Sequence, residues 1–468
     1  MSKANKEYWK TMDHNSKTPN PEFRIPNGTF DYLIKDGLIL SLSADYPETF
    51  IGHLGIQGSE IKLIQLREDR SPLPPAKKVI DGENFLIMPG LINAHTHSPM
   101  TLFRGLADDL PLKTWLEEFI FPAEAKYITP DSVYWGSLLA CAEMIFSGTT
   151  TFADGYFFME EVVKAVEQSG MRGLICQGVL DFPIPGSSDP SENITMARRF
   201  VDNCSNYSSR ISTGLFCHSP YTCSPETLVA VKTFCRLKGV PFFIHAAETQ
   251  DEVALILSQY GRRPVEHLEA LDLLDDRTII VHGVHLTPAE MDQLVRSGSA
   301  VVHCPESNMK LASGITPVAE LIRRGIPVGL GTDGCASNNN LDIFQEMDTA
   351  AKLGKVHTLD PTVMNARTVL EMATIKGAKI MGLESQIGSF ELGKKADLIF
   401  LDRFKPHLIP CYNPFSMLVY SAQGADVHSV MVNGTMIMEN RRILTFDLKE
   451  VLEQVTQIGQ KIKRVPGF

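Results

Sequence analysis

The chain has no long apolar run, no basic block and no paired-cysteine motif, and each absence removes a class of function. No stretch reaches the ~20 apolar residues of a membrane-spanning helix, and Met1 to Phe23 is polar and mixed in charge, unlike a signal peptide. Lys and Arg number 44 against 55 Asp and Glu, a net charge of -11. That balance fits neither a nucleic-acid backbone nor an anionic membrane as partner. The nine cysteines form no C-x-x-C pair and are odd in number, so a thiolate zinc knot and a disulfide framework are both excluded. They read as small buried hydrophobes, and the expected location is cytoplasmic. Also missing are H-E-x-x-H, G-x-S-x-G and the H-x-E with P-C-x-x-C pairing of one class of zinc deaminases.

What is present is organised around Phe85-Leu86-Ile87-Met88-Pro89-Gly90-Leu91-Ile92-Asn93-Ala94-His95-Thr96-His97. This reads as a buried strand tipped by two histidines. Alternate residues of a strand share a face, so His95 and His97 project the same way and can reach one ion.

The 468 residues suffice for one large domain or two. Residues 30–65 alternate apolar and polar around Gly and Asp turns, as short strands do. From Phe85 onward, apolar runs of strand length alternate with amphipathic stretches of helical length, the pattern of β/α units. Eight candidate strands fall at 86–94, 149–153, 173–180, 211–216, 240–244, 278–281, 300–302 and 328–331. Eight strands with intervening helices predict a (β/α)8 TIM-like barrel, with a doubly wound open sheet as the alternative. The strands expected near 387–401 and 427–438 mirror the N-terminal flank, so both flanks are expected to combine into a small β-sandwich. The expected division is a polar tail (1–25), the first half of the sandwich (26–84), the barrel (85–384), the second half (385–445) and a C-terminal helix and tail (446–468).

Barrel chemistry sits at the C-terminal ends of strands. His95 and His97 follow the first candidate strand, His218 the fourth, His245 and Glu248 the fifth, His282 the sixth, His303 the seventh and Asp333 the eighth. His95, His97, His245 and Asp333 are therefore candidate ligands. Three imidazoles and a carboxylate suit one divalent ion, Zn²⁺ or alternatively Fe²⁺. Such an ion lowers the pKa of a bound water toward roughly 7, which makes a hydroxide nucleophile available. Glu248 is placed to shuttle a proton, or else to stabilise a helix N-terminus. His282 is the candidate partner of the attacking water, and Asp333 can accept its proton. His285 and His303 have no assigned role. Gly329-Leu330-Gly331-Thr332-Asp333-Gly334 matches G-x-G-x-x-G but lacks the complete βαβ unit and ribose acid of a dinucleotide site.

The set Pro89 to His97, His245-Ala246-Ala247-Glu248, His282-Gly283-Val284-His285 and Gly331-Thr332-Asp333-Gly334 resembles the amidohydrolase superfamily, in the branch that deaminates purines and pyrimidines and dechlorinates triazines. Two-metal members carry a lysine at the end of strand four. Ile211-Ser212-Thr213-Gly214-Leu215-Phe216-Cys217-His218 has none, so the resemblance implies one metal ion. Within the branch, residues 103–116 and Cys217-His218-Ser219-Pro220-Tyr221 are similar to the 5-methylthioadenosine/S-adenosylhomocysteine deaminases. That resemblance implies a purine nucleoside substrate, ribose held by Glu124, and substrate contact by His218. Where some members place a substrate-contacting arginine, this chain has Gln177, which keeps hydrogen-bonding capacity without the charge. Trp115, with Phe119 four residues on, suits core packing or a purine platform. The implied reaction is hydrolytic deamination of an adenine nucleoside to the inosine analogue and ammonia. The alternative is a deaminase or chlorohydrolase of guanine, cytosine or an s-triazine. A homo-oligomer is compatible with the sequence, which does not specify the state.

Overall fold

The apolar run that opens the central region is two strands, and they belong to two different sheets. In the computed structural model, which describes residues 29–463, four strands precede it: β1 (Phe30–Leu40), β2 (Thr49–Gln57), β3 (Glu60–Leu66) and β4 (Ala76–Asp81). The polar tail expected at 1–25 lies outside the described residues. The run itself supplies β5 (Phe85–Pro89) and β6 (Leu91–Thr96), divided at Gly90. There the chain changes partners, with Gly90 N–H donating to Asp397 and Leu91 N–H to Gly148. A Cβ on Gly90 would lie 2.1 Å from Thr150 Oγ1, so only glycine permits so close a crossing.

After β6 come β7 (Thr149–Tyr156), β8 (Arg172–Val179), β9 (Ile211–Cys217), β10 (Phe242–Ala246), β11 (Thr278–His282), β12 (Ala300–His303) and β13 (Val328–Leu330). They pair in chain order, all parallel, into the eight-stranded wall of a nearly closed (β/α)8 barrel. Helix starts follow local chemistry. Thr129, Ser224, Thr249 and Thr287 each cap a helix by accepting an N–H of its first turn, and Gly170, Gly239, Gly261 and Gly298 end helices in the left-handed conformation. Alternation along the strands sends Ile92, Ala153, Leu174, Phe243, Ile279 and Val302 into the barrel. The intervening residues face the helices, and each large side chain so buried contributes about 1.5–3 kcal/mol.

Among the described residues, β13 and β6 share no backbone ladder, and side chains together with one backbone hydrogen bond close the gap between β6 and the segment after β13. Asn93 accepts from Thr332 N–H (3.1 Å) and donates to Thr332 Oγ1 (2.7 Å). Asp333 N–H donates to the His95 carbonyl at 3.1 Å, and Thr96 Oγ1 to the Asp333 carbonyl at 2.9 Å.

The flanks meet through β5 and β14 (Leu398–Asp402), which pair antiparallel, and the sheet continues with β15 (Val427–Val432), β16 (Thr435–Glu439) and β17 (Arg442–Ile443). This nine-stranded mixed sheet curls around Ile34, Leu54, Ile61, Ile87, Leu398 and Met436, so residues from both ends of the chain share one core. The β2–β3 turn closes back onto the C-terminal flank, where Ile61 N–H donates to Lys394 and Ala396 N–H to Ser59. The helix Leu448–Ile462 lays Val451 against Leu138 and Ala165 on the barrel's exterior. The eight cysteines whose side chains are described are buried and free. Among the described residues no helix is long and apolar enough to cross a membrane.

Asn93→Ala leaves the buried Thr332 N–H without its acceptor, which is expected to cost about 1–3 kcal/mol. Urea unfolding of the variant tests this, and an unchanged midpoint would show that the seam closes without Asn93.

Candidate active site

Four donor atoms converge where the first and last barrel strands meet. His95 Nε2 and His97 Nε2 each lie 3.3 Å from Asp333 Oδ1, and His245 Nε2 is 3.4 Å from His95 Nε2. One ligand atom from each of the four residues lies within 4.8 Å of all the others. His97 Nδ1–H donates to the Gly155 carbonyl at 2.5 Å, which fixes the tautomer and turns the Nε2 lone pair into the cluster. Burial, opposed by Asp333, pulls His95 down to about 4, and burial with the neighbouring imidazoles holds His245 well below its ordinary value. Both are neutral, as ligands must be. Lone pairs of neutral imidazoles facing one another beside a carboxylate fit a divalent cation. The Phe216 ring stacks beneath His95, with centroids 5.5 Å apart.

The backbone reaches this geometry through strain. Ala247, His282 and Asp333, at or just past the ends of β10, β11 and β13, have φ of 55°, 72° and 59°, the left-handed region that costs a side-chain-bearing residue about 1–3 kcal/mol. Each is clamped. Both carboxylate oxygens of Glu252 accept from consecutive amides, Ala247 N–H at 2.9 Å and Glu248 N–H at 2.7 Å. His282 Nδ1–H donates to Asn308 Oδ1 (2.9 Å), while Thr316 Oγ1 donates to the His282 carbonyl (2.9 Å). Asp333 Oδ2 accepts from Ser307 Oγ and Ser337 Oγ, at 2.7 and 2.9 Å. His282 Nε2 is thereby left 3.8 Å from Glu248 and 4.0 Å from Asp333. Burial opposes charge on His282, but the two carboxylates and Asn308 outweigh it and raise its pKa. Burial raises Glu248.

The cluster opens into a pocket that Trp115, Glu124, His218, Glu248 and His282 also line. Glu124 accepts from the Tyr156 hydroxyl at 2.6 Å, and burial, partly offset by that bond, raises its carboxyl to about 7. His218 is held neutral by burial, at about 3, with Nδ1 on Thr222 Oγ1 (3.0 Å). Trp115 begins a π-helical turn, Trp115–Ile120, and joins core packing to pocket lining. Gln177, expected as a substrate contact, is not among the residues that line this pocket. Its β8 neighbours Leu174 and Cys176 face the barrel interior, so by alternation Gln177 faces the helices. There it accepts from Met159 N–H (3.5 Å), and Gly178 takes the pocket position. His285 donates to the Ser313 carbonyl at 2.8 Å, and His303 is buried beside the outward Val301. Neither lines the pocket.

Glu252, Asn308, Ser307, Ser337 and Tyr156 were not legible as site residues. Only Glu252 carries a signal: Thr249-Gln250-Asp251-Glu252 matches a capping box, and Thr249 does accept the Glu252 N–H. Its carboxylate, however, reaches past the cap to the strained bend.

This constellation can be set beside known proteins. The amidohydrolase family profile matches residues 86–437. The chain belongs to the amidohydrolase family. As an amidohydrolase it is 47% identical over 433 residues to a 5-methylthioadenosine/S-adenosylhomocysteine deaminase of Syntrophobacter fumaroxidans, covering 92% of this chain and 98% of that one. It is 43% identical over 434 residues to a 5'-deoxyadenosine deaminase of Methanosarcina mazei, with the same coverage of 92% and 98%. A solved adenosine deaminase from Xanthomonas campestris with bound zinc matches this amidohydrolase at a TM-score of 0.91 and 36% identity, over 94% of this chain and 100% of that one.

Glu252→Gln sets an amide NH₂ against a backbone N–H and is expected to lower kcat roughly 10- to 100-fold, with KM and metal content unchanged. Adding Ala247→Gly should restore part of kcat, because glycine adopts a left-handed φ without strain. Loss of metal in the single variant would show that Glu252 supports the ligands instead. A second expectation concerns Glu124. Because its folded pKa is about 7 against an ordinary 4.5, the protonated carboxyl stabilises the fold at low pH, and that stability is lost as pH rises through about 7. Glu124→Gln should therefore leave Tm unchanged near pH 4 and raise stability above pH 7 by on the order of 3 kcal/mol. Equal Tm at pH 8 would show that Glu124 ionises freely.

Proposed function

We propose that this amidohydrolase is a metal-dependent deaminase of adenine nucleosides, replacing the 6-amino group with oxygen and releasing ammonia. The observation that carries the reading is the content of one pocket. A three-imidazole, one-carboxylate donor set shares its walls with Glu248, His282 and the buried carboxyl of Glu124. The names of the relatives support the same reaction class.

His95, His97, His245 and Asp333 would hold the ion, and their donor chemistry favours Zn²⁺, with Fe²⁺ the alternative. When bound, it supplies the Lewis acidity that brings a water's pKa toward roughly 7. The remaining work belongs to the chain's own residues. Asp333 Oδ2, pinned between two serine hydroxyls, orients that water and takes its proton. Glu248, whose burial favours the protonated carboxyl, gives a proton to purine N1 and later moves one to the departing nitrogen. His282, steadied through Nδ1 by Asn308, points Nε2 at the oxygen that develops on C6. Glu124 accepts the ribose hydroxyls, and His218, with Nδ1 on Thr222, offers Nε2 to the nucleoside.

The test is the ultraviolet change from adenine to hypoxanthine, with ammonia release, when zinc-loaded protein meets 5'-methylthioadenosine, 5'-deoxyadenosine or adenosine. Chelator-sensitive conversion is expected, and none with zinc demonstrably bound would reject the reading. Glu124→Gln should raise KM for the nucleosides at least about tenfold and change turnover of free adenine little. Equal loss on both would remove Glu124 from the ribose.

A further inference from the structure

The pocket's outer wall determines which 5' substituent fits, an inference that rests on the nucleoside-deaminase reading above. A ladder of rings leads outward from the donor cluster. His245 and His218 have centroids 5.1 Å apart, His218 and Phe121 6.3 Å, and Phe121 and Phe182 5.7 Å. Phe121 and Glu124 lie three residues apart on the helix Phe121–Tyr127, so they are neighbours on one face. With C6 at the cluster and the ribose at Glu124, the 5' carbon emerges beside Phe121 and Phe182. The wall there is Leu180, Phe182, Pro183, Ile184 and Pro185, whose side chains are all hydrocarbon.

That wall is built to stay as it is. Asn193 Nδ2 donates to the Leu180 carbonyl at 2.7 Å and to the Phe182 carbonyl at 3.3 Å. Ile184 and Ser187 exchange both backbone hydrogen bonds, at 2.9 and 3.0 Å. The one acid of the segment, Asp181, is occupied by Ser224 N–H (2.5 Å) and the Thr227 hydroxyl (2.7 Å). Among the described residues no Lys or Arg lines the pocket. Lys310, next to the lining residue Leu311, is committed to Asp108, Asn339 and the Ala336 carbonyl.

S-adenosylhomocysteine carries an ammonium and a carboxylate at its 5' end. The apolar side chains of the wall give neither group a charged partner, and no Lys or Arg among the described lining residues meets the carboxylate. Hydrogen or a short alkylthio group instead gains apolar contact. We propose that this site selects adenine nucleosides with a small, uncharged 5' substituent over S-adenosylhomocysteine, and that the Leu180-to-Pro185 wall with Phe121 is the selector.

The experiment compares kcat/KM for 5'-deoxyadenosine, 5'-methylthioadenosine and S-adenosylhomocysteine on the zinc-loaded full chain, then repeats it for Phe182→Arg and Pro185→Arg. Both uncharged substrates should lead S-adenosylhomocysteine by at least about tenfold, mainly through KM. Either arginine should narrow that ratio at least about threefold by giving the carboxylate a partner. A ratio below tenfold in the unaltered protein overturns the proposal, as does an unchanged ratio in both variants. Deamination of none of the three substrates by protein holding one zinc would instead reject the nucleoside-deaminase reading, and the selectivity with it.

Discussion

A barrel of parallel strands must close somewhere, and here the closure is the pairing of Asn93 on β6 with Thr332, two residues past the end of β13. The same few residues set the candidate metal centre. Two positions after Asn93 is His95, whose carbonyl takes the Asp333 N–H, and one position after Thr332 is Asp333 itself. The seam therefore fixes the distance between a histidine of the first strand and a carboxylate beyond the last. Without it, residues far apart in sequence would have to find a 3.3 Å approach by side-chain flexibility alone. The buried amide of Asn93 suits this duty because it donates and accepts at once.

The rest of the site is organised by stored strain. Three strand ends carry side-chain-bearing residues in the left-handed region, and each is held by a buried polar group that takes no part in the proposed chemistry. Glu252 does this for Ala247 and Glu248, Asn308 for His282, and two serines for Asp333. Buried carboxyls such as Glu124 and Glu252, both at about 7, show the same conflict between stability and use.

How much of this was readable in the sequence depends on the periodicity of each signal. His95 and His97, expected on one strand face, do converge, although β6 ends at Thr96 and its register with β7 shifts just before it. The barrel emerged from apolar runs ending in polar residues. At β8, stepping one residue from Cys176 to Gln177, a position named through family resemblance, moves the side chain from the interior to the helix layer. The break at Gly90 was hidden, since Phe85 to Ile92 is continuously apolar and only a change of partners divides it. Clamps such as Asn308 and Tyr156 stayed invisible because their partners lie elsewhere in the chain. Glu124 and His218 entered through family resemblance.

The pairing of β5 with β14 has a consequence for synthesis. Pro89 is the partner of Leu398, so the edge of β5 has no mate until the whole barrel has left the ribosome. At about 5–20 residues per second that interval is roughly 15 to 60 seconds. Throughout it, Phe85-Leu86-Ile87-Met88 presents an unpaired apolar strand of the kind that seeds aggregation. β1 offers it only the brief register of Leu38 with Leu86 and Ile39 with Ile87. The nascent chain thus passes through a window of vulnerability set by topology, and a cell that makes this protein in quantity must shield that edge until the C-terminal flank arrives.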